Sequence, residues 1–128
     1  MNSSIESSFV MECIKKEYQD RLLFELQSKK HREKAVSRFS HSAEAMLKSG
    51  FVKCTVCDLQ KYVDFNKESL SYFIISGDSN DGNTLNAKEM VEYCKNSFMA
   101  VIAISSSLVV IKEEYEGKSP TVFIYKNI

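Results

Sequence analysis

The chain has 128 residues, 44% of them hydrophobic, with eight Phe, six Tyr and a formal net charge of zero. That length fits one domain over residues 1–128, and the apolar content at zero net charge excludes a disordered chain. The even charge balance also excludes the strongly basic composition of a dedicated nucleic-acid binder. The total hides an asymmetry. Residues 1–53 hold ten Lys/Arg against seven Asp/Glu, and residues 54–128 hold seven against ten, so a basic and an acidic pole are expected.

Residues 1–8 include four serines and are expected to fray. This start lacks the basic and apolar regions of a signal peptide. From Phe9 to Ser49 there is no Gly or Pro. Val10, Ile14, Tyr18, Leu22 and Leu26 recur at helical spacing, with Cys13 and Leu23 alongside. The stretch 28–34 has no apolar residue, and Val36, Phe39, Ala43, Met46 and Leu47 then resume the pattern. Two helices are expected, broken within 28–34 or near the serines of 37–42, although one bent helix over 9–49 fits the same pattern. Gly50 is positioned as the C-terminal stop.

The periodicity then changes. Residues 51–57, 59–65 and 70–76 read as strands, with a turn at Asn66-Lys-Glu68 and a polar loop at 77–83. Asn86 followed by Glu89 resembles a capping box opening a helix whose apolar positions are Met90, Val91, Cys94 and Phe98. Strands follow at 99–104, 108–111 and 121–125, the last two separated by a polar turn over 113–120. The order ααβββαβββ predicts an α+β fold: two N-terminal helices, then a largely antiparallel sheet of five to six strands covered on one face by helices. The most apolar run, Phe98–Ile104, is too short to cross a bilayer.

The sequence holds no P-loop, dinucleotide-binding G-x-G-x-x-G, H-E-x-x-H or G-x-S-x-G motif. Cys54-Thr-Val-Cys57 lacks the second close pair that a zinc site needs, and on a strand the two sulfurs would diverge. The four cysteines, Cys13, Cys54, Cys57 and Cys94, read as free thiols of a reducing compartment, which places the protein in the cytoplasm. Asp78-Ser-Asn-Asp-Gly-Asn83 resembles a calcium loop, but its Gly82 is fifth instead of sixth and an apolar strand precedes it, so an Asx/Gly loop is the reading. His31 and His41 would lie about 15 Å apart on one helix, too far to share a reacting centre. No metal, cofactor, membrane contact or catalytic group is expected.

Two charged sets remain. Asp78, Asp81, Glu113, Glu114 and Glu116 lie in two loops; if these share an edge of the sheet, they can mimic phosphates towards a basic partner. Lys29, Lys30, Arg32, Lys34 and Arg38, beside both histidines, form a basic stripe able to contact phosphates.

In overall style and across its whole length, this small, motif-free α+β chain with a polarised surface resembles the immunity proteins of bacterial toxin systems, including contact-dependent growth inhibition. The resemblance implies a stoichiometric, non-enzymatic inhibitor that binds a cognate toxin domain, often a nuclease. Because a nuclease groove is basic, the five acids are the first-choice contact surface and Lys29, Lys30, Arg32 and Arg38 the second. Two alternatives stay open. One is nucleic-acid binding through the basic helix 28–41. The other is a small ligand-binding domain or enzyme built from scattered residues.

Overall fold

The computed structural model describes residues 2–66, 70–75, 77–114 and 120–126. Three helices open the chain: α1 (Ser3–Cys13), α2 (Lys16–Gln27) and α3 (Arg32–Met46). The serine-rich start forms the first turns of α1. Asn2 caps them by accepting the Ile5 N–H at 3.1 Å, and Glu6 is already buried.

The expected pair of helices is thus three, because the chain breaks twice. The first break carries neither Gly nor Pro. Ile14 lies fully buried in extended backbone and forms an antiparallel bridge with Leu47, which follows α3. The Lys15 N–H donates to Met46 O and the Lys48 N–H to Cys13 O, each at 2.8 Å. One short bridge therefore ends α1 and α3 together. Leu47 stops α3, and Gly50 lies beyond the end it was expected to cap. The second break, at Ser28 to His31, falls within the expected 28–34 stretch, and Ser42 kinks α3.

The sheet has six antiparallel strands: β1 (Val52–Thr55), β2 (Ser71–Ile75), β3 (Thr84–Leu85), β4 (Val101–Ile104), β5 (Leu108–Lys112) and β6 (Thr121–Lys126). Their order is β1-β6-β5-β4-β2-β3, and α4 (Ala87–Asn96) connects β3 to β4. The α+β class and the last three strands agree with the sequence reading. The second expected strand, 59–65, is instead a 3-10 helix at Leu59–Tyr62 that buries Leu59. The polar 77–83 loop returns into the two-residue β3, which pairs with the start of β2.

The expected coverage of one face also changes to two. Tyr72, Ile74, Ile102, Val109, Ile111 and Phe123 pack under α1–α3. Phe73, Ile75, Val101, Val110, Val122 and Ile124 pack under α4 and the 3-10 helix. Successive residues of a strand face opposite ways, so a sheet buried on both faces needs continuous apolar runs. Residues 71–75 and 108–112 are buried throughout.

Strand register aligns Ile75, Val101, Lys112 and Val122 in one row at one end of the sheet. α3 crosses this region. Its Arg32 pairs with Asp81 after β2, its His41 with Glu114 after β5, and its Glu44 with Lys53 of β1.

Candidate functional site

Both predicted acidic loops, 77–83 after β2 and the segment after β5, emerge at that sheet end. They are two strand spacings apart, about 10 Å, with β4 starting between them. Asp78 accepts the Asn80 N–H at 2.7 Å, which makes an Asx turn, and also accepts the Tyr93 hydroxyl. Burial, followed by the bond to Asp78, pushes the Tyr93 phenol up to about 12. Glu113 accepts the Thr121 N–H at 3.2 Å, and Glu114 lies 2.8 Å from His41 Nε2. Glu116 lies outside the described residues.

Asp81 has an inward role. Arg32, the first residue of α3, has a side chain only 6% exposed and places all five of its N–H donors. Two reach Glu6 of α1 at 2.6 and 2.7 Å, two reach Asp81 at 2.7 and 2.9 Å, and one reaches Leu26 O at 2.8 Å. Burial opposes the guanidinium's charge, but the bonds from Asp81 and Glu6 outweigh it and push its pKa up. Tyr72 of β2 donates to Glu6 at 2.6 Å and accepts the Asn2 N–H at 2.8 Å. Asp81 Oδ1 also accepts the Ile75 N–H at 3.1 Å. The network binds α1, α3, β2 and the 77–83 loop into one unit. It removes Asp81 from the acidic contact set and Arg32 from the basic one. The entry of the loop is fitted just as closely: Gly77 has φ +68°, and a Cβ there would meet Glu33 Oε1 at 3.0 Å.

The rest of the basic stripe divides. Arg38 binds Glu25 in a fork, and that hydrogen bond holds the Glu25 carboxyl below its usual pKa. His31 Nδ1 lies 2.8 Å from Ser28 Oγ, with its ring against Phe24. Lys29, Lys30 and Lys34 remain on the surface.

The second cohesive feature runs along α4. Its predicted capping box is present: Asn86 accepts the Glu89 N–H at 2.8 Å, and Glu89 accepts the Asn86 N–H at 3.1 Å. Because the box holds Glu89, and Asp81 holds Arg32, the calcium-like spacing does not gather its carboxylates on one centre. Between α4 and the 77–83 loop runs an open groove of about 730 Å³, floored by Leu85 and Tyr93 and bordered by Asp78, Glu89 and Glu92. A second groove of about 500 Å³, with Phe65 on its wall, follows the other flank of α4. Phe98, expected on the apolar face of α4, lies past the helix end and is 67% exposed at the rim of the first groove. It sits on the segment that enters β4, and so between the two acidic loops.

Three buried reactive groups are structural. Lys112 is 0% exposed and donates to Ser97 O at 3.0 Å and Glu113 O at 3.1 Å, which places a cation at the C-terminal end of α4. Burial lowers its pKa. Burial also pushes the Cys13 and Cys94 thiols up to about 12, which leaves them unreactive. Cys54 is on β1 and half-buried, and Cys57 is exposed in the following turn. Among the described residues, no three His, Cys, Asp or Glu side chains are grouped to hold a metal ion, and no helix is long and apolar enough to cross a membrane. Sequence periodicity had no means of finding Arg32 buried or Phe98 exposed: the first needs its two distant carboxylates, and the second depends on where α4 ends.

Comparison with protein-family models, with curated proteins and with solved structures found no match to this chain.

Proposed function

We propose that this protein is a non-enzymatic immunity protein, a stoichiometric inhibitor that binds and neutralises a cognate bacterial toxin domain, most simply a nuclease, in the cytoplasm. The observation that carries this reading is the convergence of the two acidic loops at one end of the sheet, with Asp78 on one side and Glu113 and Glu114 on the other. Carboxylates fixed on a rigid sheet end match the phosphate-binding surface of a nuclease and steer its approach. The open groove beside Asp78 fits a protein surface better than an enclosed small molecule. The basic stripe supports nucleic-acid binding less well, since Arg32 and Arg38 serve internal pairs.

The test is co-expression with the toxin domain encoded immediately upstream of this protein's gene. A one-to-one complex by light scattering, with loss of the toxin's activity and protection of the cell, is expected. Absence of such a neighbour, or a neighbour that neither binds nor is inhibited, overturns the reading. Neutralising Asp78, Glu113, Glu114 and Glu116 to their amides, with Asp81 left intact, should then weaken the complex. Asp81 must stay because its loss would strip Arg32 of a partner and confound binding with folding.

A further inference from the structure

We infer that the groove between α4 and the 77–83 loop receives a basic, apolar-bearing segment of the partner, with Phe98 as its anchor. This rests on the inhibitor reading and names the surface that would serve it. The charge around the groove is one-sided: Asp78, Glu89 and Glu92 border it against Lys88 alone. Its floor is apolar, formed by Leu85 and the Tyr93 ring, which is itself held edge-on against Phe73 at 5.5 Å. Phe98 exposes 67% of its surface at the rim.

An exposed aromatic beside an apolar floor, with three carboxylates against one lysine around it, is the arrangement of an interface hot spot. The aromatic supplies desolvated contact area, and the rim selects the partner by charge. The complementary occupant carries Lys or Arg to meet the three carboxylates and an aliphatic or aromatic side chain to cover Phe98 and Tyr93. An acidic segment would meet like charge. A nucleic acid would meet the same repulsion at every phosphate.

The groove also has the rigidity such a role needs. One wall is α4, fixed by its capping box. The other is the 77–83 loop, which Asp81 clamps to buried Arg32 and Asp78 joins to Tyr93. Little conformational entropy is then lost on docking.

The first arm of the test uses a short synthetic peptide alternating arginine with leucine and phenylalanine, and a counterpart with glutamate for arginine. Amide chemical shifts of the labelled protein are followed on titration. The arginine peptide should shift residues around Leu85, Glu92 and Phe98, and the glutamate peptide should not. Phe98→Ala and Glu92→Lys should each weaken binding by about tenfold or more. Both sites are exposed, so the variants keep the fold, and unchanged thermal unfolding checks this. Shifts elsewhere, equal binding of both peptides, or unaltered affinity in both variants overturn the inference.

The second arm repeats the variants against the upstream toxin domain. A toxin complex that forms equally well with Phe98→Ala and Glu92→Lys refutes this groove and leaves the inhibitor reading standing. A groove that takes the arginine peptide while the wild-type protein ignores the toxin upholds the surface and refutes the inhibitor reading.

Discussion

The two faces of the sheet are closed in different ways. On one face, α1, α2 and α3 form a layer tied together by polar bonds: the Ile14–Leu47 bridge, the Arg32 network, and the Tyr125 hydroxyl donating to Lys48 O. On the other face, α4 and one 3-10 turn cover the sheet, and the cohesion is mainly apolar, with polar ties from Lys112 to Ser97, Tyr93 to Asp78 and Lys95 to Gln60. The single helix α4 leaves grooves of about 730 and 500 Å³ along its two flanks, whereas the clefts on the three-helix side are smaller, about 450 and 240 Å³. The three-helix layer is thus joined to the sheet by a buried polar network, whereas the single-helix layer leaves the larger grooves.

The comparison is broken most severely at Arg32. Arg32→Ala strands two buried carboxylates and is expected to cost about 3–5 kcal/mol in urea unfolding. Loss of under 1 kcal/mol would show the three-helix layer to be held mainly by apolar packing, like its opposite. On the α4 face the matching test is Met90→Ala, at a fully buried site, with an expected loss of about 2–5 kcal/mol from transfer and cavity terms. The two variants should differ in salt response, because only the first exposes an electrostatic imbalance.

Smaller effects sharpen the contrast. Asn86→Ala removes the capping box and should cost about 1 kcal/mol, read as a lower unfolding midpoint. Arg38→Gln should cost less than about 1 kcal/mol, and its pH dependence carries the information. The Arg38 hydrogen bond lowers the Glu25 pKa in the folded state. The pair's contribution is therefore present above the unfolded carboxyl value of about 4.3 and is lost as pH falls through the lower folded value. The stability gap between wild type and Arg38→Gln should close on acidification; a gap constant down to strong acid refutes the pairing. Phe98→Ala should change stability least, within about 0.5 kcal/mol, since its ring is mostly in water.

Local signals located much of this architecture. Asn86 and Glu89 carry their own capping chemistry in a three-residue spacing, so α4 was legible. The β4 run and β5 as far as Ile111 are apolar at every step, which marks strands, and continuous apolarity is also what a doubly covered sheet requires. The 3-10 helix at 59–62 is not legible because Leu59, Val63 and Phe65 fall at even spacing and so fit one face of a strand. The first helix break was missed because Ile14 has no intrinsic preference for stopping a helix. Its partner Leu47 is 33 residues away in sequence.

By itself, then, the sequence determined the α+β class, the cap of α4, the last three strands and the two acidic loops, since each follows from periodicity or turn chemistry within a few residues. Only the tertiary structure decided that those loops emerge at one sheet end, that Arg32 and Asp81 face inward while Phe98 faces outward, and that three helices share one face. Those outcomes depend on pairings between residues far apart in the chain, such as Glu6 with Arg32 and Arg32 with Asp81. A charged side chain is buried only where such distant partners meet it, and no local pattern records that meeting.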